Sequence, residues 1–328
     1  MMRAVLALFC AAFFSAPAPA CAGHLCTAAG LFFSPDGGYF VSGWGETPQT
    51  ISFGTVKDKK FHKSISLPRG QCLFGLSPDG KTLAASYGTG QELLKLSMRG
   101  EILSNTAVPQ GGLTSVSPGF RYAATTELLA NGSDVYRIYR LSGGQFSPLY
   151  VLADQSEKGW AIFSPGDKYL AYYFGRLNKE GRVAGSFVNM LELKTGKSAV
   201  SFQFKKDPLS PISALAFSPD GKLFAYGSVS GETRVVAVPG WAPVKTLRDR
   251  GHTVRSIYFS TAHMAVLYGS GTVKVYRLPG FETVYAKDYE KIPHAINFTA
   301  NGKELGVLFL NGRASFVPLA GGKPSPKN

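Results

Sequence analysis

The chain has 328 residues, of which 45% are hydrophobic and 17% charged, and its formal net charge is +14. A substantial core can therefore be buried, whereas the 38 glycines and 20 prolines favour many turns over long helices. Beyond the N-terminus the sequence contains no run of about 18 apolar residues, so it predicts no transmembrane helix there. The net charge favours anionic partners through long-range attraction, with simple solubility as the alternative, and the basic runs are too short for a nucleic-acid arm.

The first 22 residues have the pattern of a secretory signal peptide. Residues 1–3 are basic, residues 4–14 are apolar, and Ala20-Cys21-Ala22 predicts cleavage after Ala22. Cleavage before Cys21, with lipidation of that cysteine, is the alternative. We therefore expect the protein in the periplasm or secreted from a bacterial cell.

Two of the four cysteines, Cys26 and Cys72, remain after cleavage at Ala22. An even number of cysteines in an oxidising compartment predicts a disulfide bond between them, with two buried thiols as the alternative. There is no Cys-x-x-Cys pair, so we expect neither a zinc site nor redox chemistry.

A turn related to Ser-Pro-Asp-Gly recurs between apolar runs along the chain. Proline fixes φ at the first turn position, and glycine tolerates the positive φ that closes the turn. Successive turns begin 43, 40, 47, 54, 42 and 39 residues apart, at Ser34, Ser77, Ser117, Ser164, Ser218, Ser260 and Thr299. A period near 40 to 45 residues with several short strands is typical of a β-propeller. The sequence predicts an all-β, seven-bladed β-propeller over residues 23–320, followed by a disordered tail at 321–328.

The fifth unit shows the expected four antiparallel strands, at 212–217, 223–228, 233–238 and 244–247. The first two strands are continuously apolar and should be the inner ones, whereas the fourth is mixed and basic, as expected of an outer strand. The seventh unit has a poor fourth strand, which leaves packing between blades or N-terminal residues to close the ring. The third and fourth units contain long connections, predicted at 125–134 and 174–182.

The repeat Leu-Ala-Phe-Ser-Pro-Asp-Gly-Lys-Leu-Phe-Ala-Tyr resembles the repeats of WD-repeat and TolB-type β-propellers. Gly251-His252 is similar to the Gly-His dipeptide that opens many WD repeats, although the usual Trp-Asp pair is absent. The resemblance covers about residues 27 to 320. It implies a propeller that serves mainly as an interaction platform.

Three basic residues of the fourth unit, Arg176, Lys179 and Arg182, lie in its predicted long connection. Insertions on a rigid repeat scaffold often carry function, so these residues are candidates for a binding loop. A neutral insertion is the alternative.

Three further residues are candidates for a site at the central channel. His252 and His294 each precede the first strand of adjacent blades, and Trp160 opens the inner strand of unit four. They could bind a ligand together, or serve in turns and in packing. The five histidines show no metal-ligand spacing, and we expect no metal and no cofactor.

The function predicted from these features is that of a monomeric, non-enzymatic binding platform for a protein partner, with an acidic partner favoured by the net charge. One alternative is a channel-centred enzyme such as a YVTN-type lactonase, with His252, Arg255, Glu304 and Glu157 as candidates by position alone. The other is a binder of anionic polysaccharide through the basic rim.

Overall fold

The computed structural model describes residues 30–44, 49–67, 73–77, 79–87, 91–128, 134–153, 156–177, 183–204, 211–249 and 252–319. These residues form seven antiparallel sheets, and their one helical element is a single 3-10 turn at Pro165–Asp167. None of them forms a helix long and apolar enough to cross a membrane. The prediction of an all-β fold is confirmed.

The strands follow one another in the same order in every sheet. The first strands are β1 (Gly30–Phe33), β5 (Leu73–Leu76), β9 (Gly112–Val116), β13 (Ser156–Phe163), β17 (Ile212–Phe217), β21 (Val254–Phe259) and β25 (Pro293–Phe298). The second strands are β2 (Tyr39–Trp44), β6 (Thr82–Tyr87), β10 (Tyr122–Leu128), β14 (Tyr169–Leu177), β18 (Leu223–Ser228), β22 (His263–Tyr268) and β26 (Glu304–Phe309). The third strands are β3 (Gln49–Thr55), β7 (Glu92–Ser97), β11 (Asp134–Ser142), β15 (Val183–Glu192), β19 (Glu232–Ala237), β23 (Thr272–Arg277) and β27 (Ala314–Pro318). The fourth strands are β4 (Lys60–Leu67), β8 (Ile102–Ala107), β12 (Gln145–Ala153), β16 (Lys197–Phe202), β20 (Pro243–Arg248) and β24 (Glu282–Asp288).

The seven sheets are the blades of a closed ring. First strands of neighbouring blades contact one another at six of the seven interfaces, including that of β25 in the last blade with β1 in the first, and between the fourth and fifth blades β15 contacts β17. Six blades have four strands, and the described residues give the seventh blade three. The predicted seven-bladed β-propeller is thus confirmed. The predicted signal peptide, the pair Cys26 and Cys72, and the tail at 321–328 lie outside the described residues.

The core lies between the blades rather than at the centre of the ring. The buried apolar side chains of the described residues fall into seven clusters, and each cluster joins two adjacent blades. The cluster that closes the ring contains Leu31 and Phe40 of the first blade with Leu308 of the seventh. Fourth strands are largely exposed and carry basic side chains such as Lys63 and Lys245, as the sequence predicted.

The recurring turn is stabilised by its own serine and aspartate. Ser218 Oγ donates to Asp220 Oδ1 at 2.6 Å, and the same oxygen accepts the N–H of Lys222 at 3.0 Å. The Ser218 hydrogen bond is the main reason why the pKa of Asp220 lies below its usual range. Gly221 closes the turn with a φ of +68°. The recurrent aspartate is therefore a structural residue.

Two predicted long connections are shorter in the structure, because their flanking strands continue. The connection predicted at 174–182 begins only after Leu177, so Arg176 belongs to strand β14 rather than to a loop. Phe174 stacks on Phe187 of β15 with ring centroids 5.0 Å apart, which extends the hairpin. In the third blade β10 likewise continues to Leu128. Both predicted loop boundaries were wrong for this reason.

The antiparallel order gives the ring two different faces. Connections from second to third strands, and from each fourth strand to the next blade, emerge on one side, which we name the loop face. The Ser-Pro-Asp-Gly turns, and the turns from third to fourth strands, emerge on the other side, which we name the turn face. The predicted site residues that the structure describes, Trp160, Arg176, His252 and His294, lie in elements at or near the loop face.

Candidate functional site

The first strands carry β-bulges near the loop face. Six of the seven described first strands skip one or two residues in their pairing with the second strand. Bulges redirect side chains and are common next to active and binding sites. The skipped residues are Phe74, Thr114, Gly159 with Trp160, Ser213, Arg255 and His294. His294 occupies the same position as Ser213 and Arg255, five residues before the recurring turn, whereas Trp160 lies four residues before its turn.

Two of the bulge residues use their hydroxyl groups in hydrogen bonds to backbone carbonyl oxygens. Thr114 Oγ1 donates to the carbonyl oxygen of Ala124 at 3.0 Å, within its own blade. Ser213 Oγ donates to the carbonyl oxygen of Val254 at 2.6 Å, in the next blade. Both side chains thus have structural partners.

Arg255 and His294, in adjacent blades, retain unused hydrogen-bonding capacity. The Arg255 guanidinium is half-buried, and its one described hydrogen bond is a long one of 3.5 Å from Nη1 to the carbonyl oxygen of Pro293. Burial lowers its pKa, and no acidic side chain among the described residues pairs with it. Both ring nitrogens of His294 are buried without a hydrogen-bond partner. Burial, and then the neighbouring Arg255 charge, lower the pKa of His294 to about 4.

Acidic groups near the loop face are engaged elsewhere in the part of the chain that the structure describes. Glu232 lies 2.6 Å from Arg234 and 3.0 Å from Arg248, and Asp249 lies 2.9 Å from Lys274. Arg255 is left as a partly desolvated cation beside a neutral imidazole. A buried charge without a counter-charge is costly, so an anionic group placed here would be stabilised.

The other predicted site residues are distributed around the loop face. His252 is half-buried in the connection before β21, where its backbone N–H donates to the carbonyl oxygen of Asp249 at 3.3 Å. Arg176 is exposed near the end of β14, and its guanidinium lies 4.9 Å from the Phe187 ring centre. Lys179 and Arg182 lie outside the described residues. The charged group that lowers the pKa of His294 is Arg255. The sequence had singled out Arg255 only under the alternative hypothesis of a lactonase-like enzyme.

Two of the residues considered for a lactonase-like site, Glu304 and Arg255, lie near opposite faces of the ring. Glu304 begins β26 at the turn face, where it forms an ion pair of 2.6 Å with Lys59. Arg255 lies near the opposite end of its strand, about 15 Å away along the strand direction. Within the described ranges there is also no cluster of three or more metal-ligating side chains. Glu304 therefore does not share a site with Arg255, and the alternative of a channel-centred enzyme stays a prediction.

Comparisons with known proteins agree with this architecture. The family model for the WD domain, G-beta repeat, matches residues 201–235, which include β17 and β18. The structure is similar to the β-propeller domain of Cps50 (Swd1) from Myceliophteria thermophila, with a TM-score of 0.68 and 11% identity, over 88% of this chain and 95% of that one. It is also similar to U3-55K, with a TM-score of 0.67 and 13% identity, over 90% of this chain and 96% of that one. No curated protein sequence matches the chain.

The chain is a seven-bladed β-propeller, and its residues 201–235 match a WD repeat. Propellers of this type typically act as scaffolds for protein interaction, and fold likeness alone carries no further functional detail. In the first, second and fifth blades the serine and the aspartate of the recurring turn are hydrogen-bonded to each other.

Proposed function

We propose that this propeller is a non-enzymatic platform that binds an acidic segment of a protein partner at its loop face, in the cell envelope or outside the cell. The observation that supports it is the pair of Arg255 and His294, whose unused donors lie in adjacent inner strands. A carboxylate side chain would accept charge-assisted hydrogen bonds from the guanidinium and neutralise it. His294 would contribute a neutral N–H donor at pH 7.

The binding of a defined acidic peptide tests this proposal. We expect the full chain to bind acetylated hexaglutamate about tenfold more tightly than hexaglutamine, and to lose most of that preference in Arg255→Gln. The exposed Arg140 of β11 provides a matched control, because Arg140→Gln removes the same charge far from the pair. Equal hexaglutamate binding by the wild type and Arg255→Gln would refute the proposal.

The salt dependence of binding, and a comparison with a polysaccharide, distinguish an acidic protein segment from an anionic polysaccharide as the partner. Binding through exposed charges weakens steeply with salt, whereas a partly buried pair is screened less. A basic-rim polysaccharide binder would bind alginate more tightly than hexaglutamate, with a steep salt dependence that Arg255→Gln leaves unchanged. We expect the opposite order and a shallower salt dependence.

The loop residues and the export pattern have their own tests. Changing Arg176, Lys179 and Arg182 together to alanine should weaken retention of envelope proteins on the immobilised propeller, and an unchanged set of partners would remove these residues from the interface.

For export, we expect a C-terminally tagged chain in the periplasm or the medium, with its N-terminus at Gly23. A full-length cytoplasmic product would contradict export.

A further inference from the structure

The turn face contains a cavity at the opposite end of the channel. Its volume is about 750 Å³, within the usual range of small-molecule sites. Its apolar walls come from Phe32, Phe33 and Leu76, together with prolines of four of the recurring turns. Two charged side chains also line it, Arg121 of the third blade and Asp167 of the fourth.

The turns that carry these charges depart from the repeat. The fourth blade reverses the usual Asp-Gly order to Gly166-Asp167, so aspartate takes the left-handed position with a φ of +57°. The third blade has Gly119 where other turns have aspartate. Local rules are most often broken at functional sites, and a left-handed non-glycine residue carries a conformational cost.

These two departures together create a contact between blades. Asp167 Oδ2 accepts a hydrogen bond of 2.8 Å from Nε of Arg121, and Nη2 of Arg121 approaches the carbonyl oxygen of Gly166 at 3.4 Å. A Cβ atom at position 119 would lie only 2.8 Å from that Oδ2. Glycine is thus required at 119 for the aspartate to reach the arginine.

The two members of this pair differ in exposure. The Asp167 side chain is 2% exposed, whereas that of Arg121 is 63% exposed. The buried carboxylate raises the pKa of the guanidinium and fixes its orientation at the cavity wall. Arg121 therefore presents donors to the cavity that Asp167 and Gly166 do not occupy.

We propose that this cavity binds a small amphipathic carboxylate, with its apolar chain against Phe32, Phe33 and Leu76 and its carboxylate on Arg121. Asp167 is a positioning residue, which holds the guanidinium in place. Of the two charged side chains in the lining, Asp167 is 2% exposed and Arg121 63% exposed, so the accessible charge is that of the guanidinium, which favours a carboxylate over an alcohol or an amine. The proposal is independent of the loop face.

Calorimetric titration of the full chain with three probes tests the proposal: decanoate, decan-1-ol and decylammonium, each below its aggregation concentration. We expect decanoate to bind about tenfold more tightly than the alcohol, and decylammonium most weakly. Arg121→Gln should abolish the preference for the carboxylate and leave affinity for the alcohol unchanged. Asp167→Asn should reduce that preference partially.

Arg140→Gln removes an exposed charge from the neighbouring strand β11, where Arg140 pairs with Tyr122 and does not line the cavity, so as the matched control it should retain the wild-type order. Because Arg121 is mostly exposed, its variant should fold, which a thermal melt checks. Equal affinity of the wild type for decanoate and decan-1-ol, or an unchanged preference in Arg121→Gln, would overturn the proposal. So would the absence of any binding of decanoate.

Discussion

At the scale of single residues, the buried imidazole of His294 couples proton binding to folding. Its pKa is about 4 in the folded chain, mainly because of burial, against about 6.5 when unfolded. Unfolding therefore takes up a proton between these values, and the folded state loses stability as the pH falls through this window. The loss reaches about 3 kcal/mol at pH 4.

Chemical denaturation of the wild type and His294→Gln between pH 7 and pH 4 measures this effect. We expect the free energy of unfolding of the variant to fall less steeply, by about 3 kcal/mol over the range. The carboxylates of the turns also titrate in acid, but they are common to both proteins and cancel in the difference. Parallel curves would show that His294 is not desolvated.

A second prediction concerns the aspartate of the recurring turn, because the turn of the seventh blade has an asparagine at the same position. In the seventh blade Asn301 Oδ1 accepts from Thr299 Oγ1 at 2.9 Å and from the N–H of Lys303 at 2.9 Å, as Asp220 does in the fifth. Asp220→Asn should therefore change the free energy of unfolding by less than about 0.5 kcal/mol, whereas Asp220→Ala should cost about 1 kcal/mol. Guanidinium denaturation at neutral pH decides; an Asn variant as unstable as the Ala variant would contradict the assigned role.

At the scale of elements, local chemistry explains which strands could be predicted. The first two strands of the fifth blade were predicted to the residue, because the Ser-Pro-Asp-Gly turn fixes where one ends and the other begins. The residues at which strands end on the loop face were predicted less well. The β14 hairpin continues because Phe174 meets Phe187 across it, and no turn signal marks that contact.

The candidate sites were predictable only in part, because their key contacts join distant segments. Arg255 reaches the carbonyl oxygen of Pro293, 38 residues away, and Arg121 reaches Asp167, 46 residues away. His294 was singled out from its place before a strand, and Arg255 only as a candidate for a lactonase-like site, so the sequence did not predict that the two are neighbours. The reversed Gly166-Asp167 order was a visible signal that pointed to the turn-face pair.

Packing between elements of neighbouring blades leaves no room for a methyl group at Gly227. A Cβ atom there, in β18, would lie 2.7 Å from Cβ of Val254 in the next blade. Gly227→Ala should therefore lower the free energy of unfolding by about 1–3 kcal/mol. Gly269→Ala is the matched control, since its nearest neighbour would be Thr253 Cβ at 3.5 Å, and urea denaturation should show a change within about 0.5 kcal/mol. Equal losses would argue against tight packing at the interface of the fifth and sixth blades.

At the scale of the whole molecule, the ring closes without a strand shared between its ends in the described residues. Closure rests on apolar packing of the seventh blade against the first, and on specific polar contacts across the same interface. Asn297 Nδ2 donates to the carbonyl oxygen of Leu31 at 2.7 Å, and Lys59 pairs with Glu304 at 2.6 Å. This interface of the seventh blade with the first, which we call the seam, thus resembles the interfaces between the other blades. That is expected of a repeat protein in which each unit contacts its neighbours.

Two leucines of the same strand allow the seam to be compared with an ordinary interface. Leu308 of β26 packs into the cluster with the first blade, and Leu305 of β26 into the cluster with the sixth, and both are fully buried. Each change to alanine should cost about 2–5 kcal/mol through the cavity that it leaves. Native-state hydrogen exchange should separate them, because each loss loosens one interface.

We expect Leu308→Ala to accelerate exchange in β1 and β2, and Leu305→Ala to accelerate it in β22 and β23. If both variants accelerated exchange equally in all blades, the ring would open as one cooperative unit, and the description of the seam as a separate interface would be wrong. If neither affected β1, closure would rest on contacts other than the apolar cluster around Leu31 and Leu308.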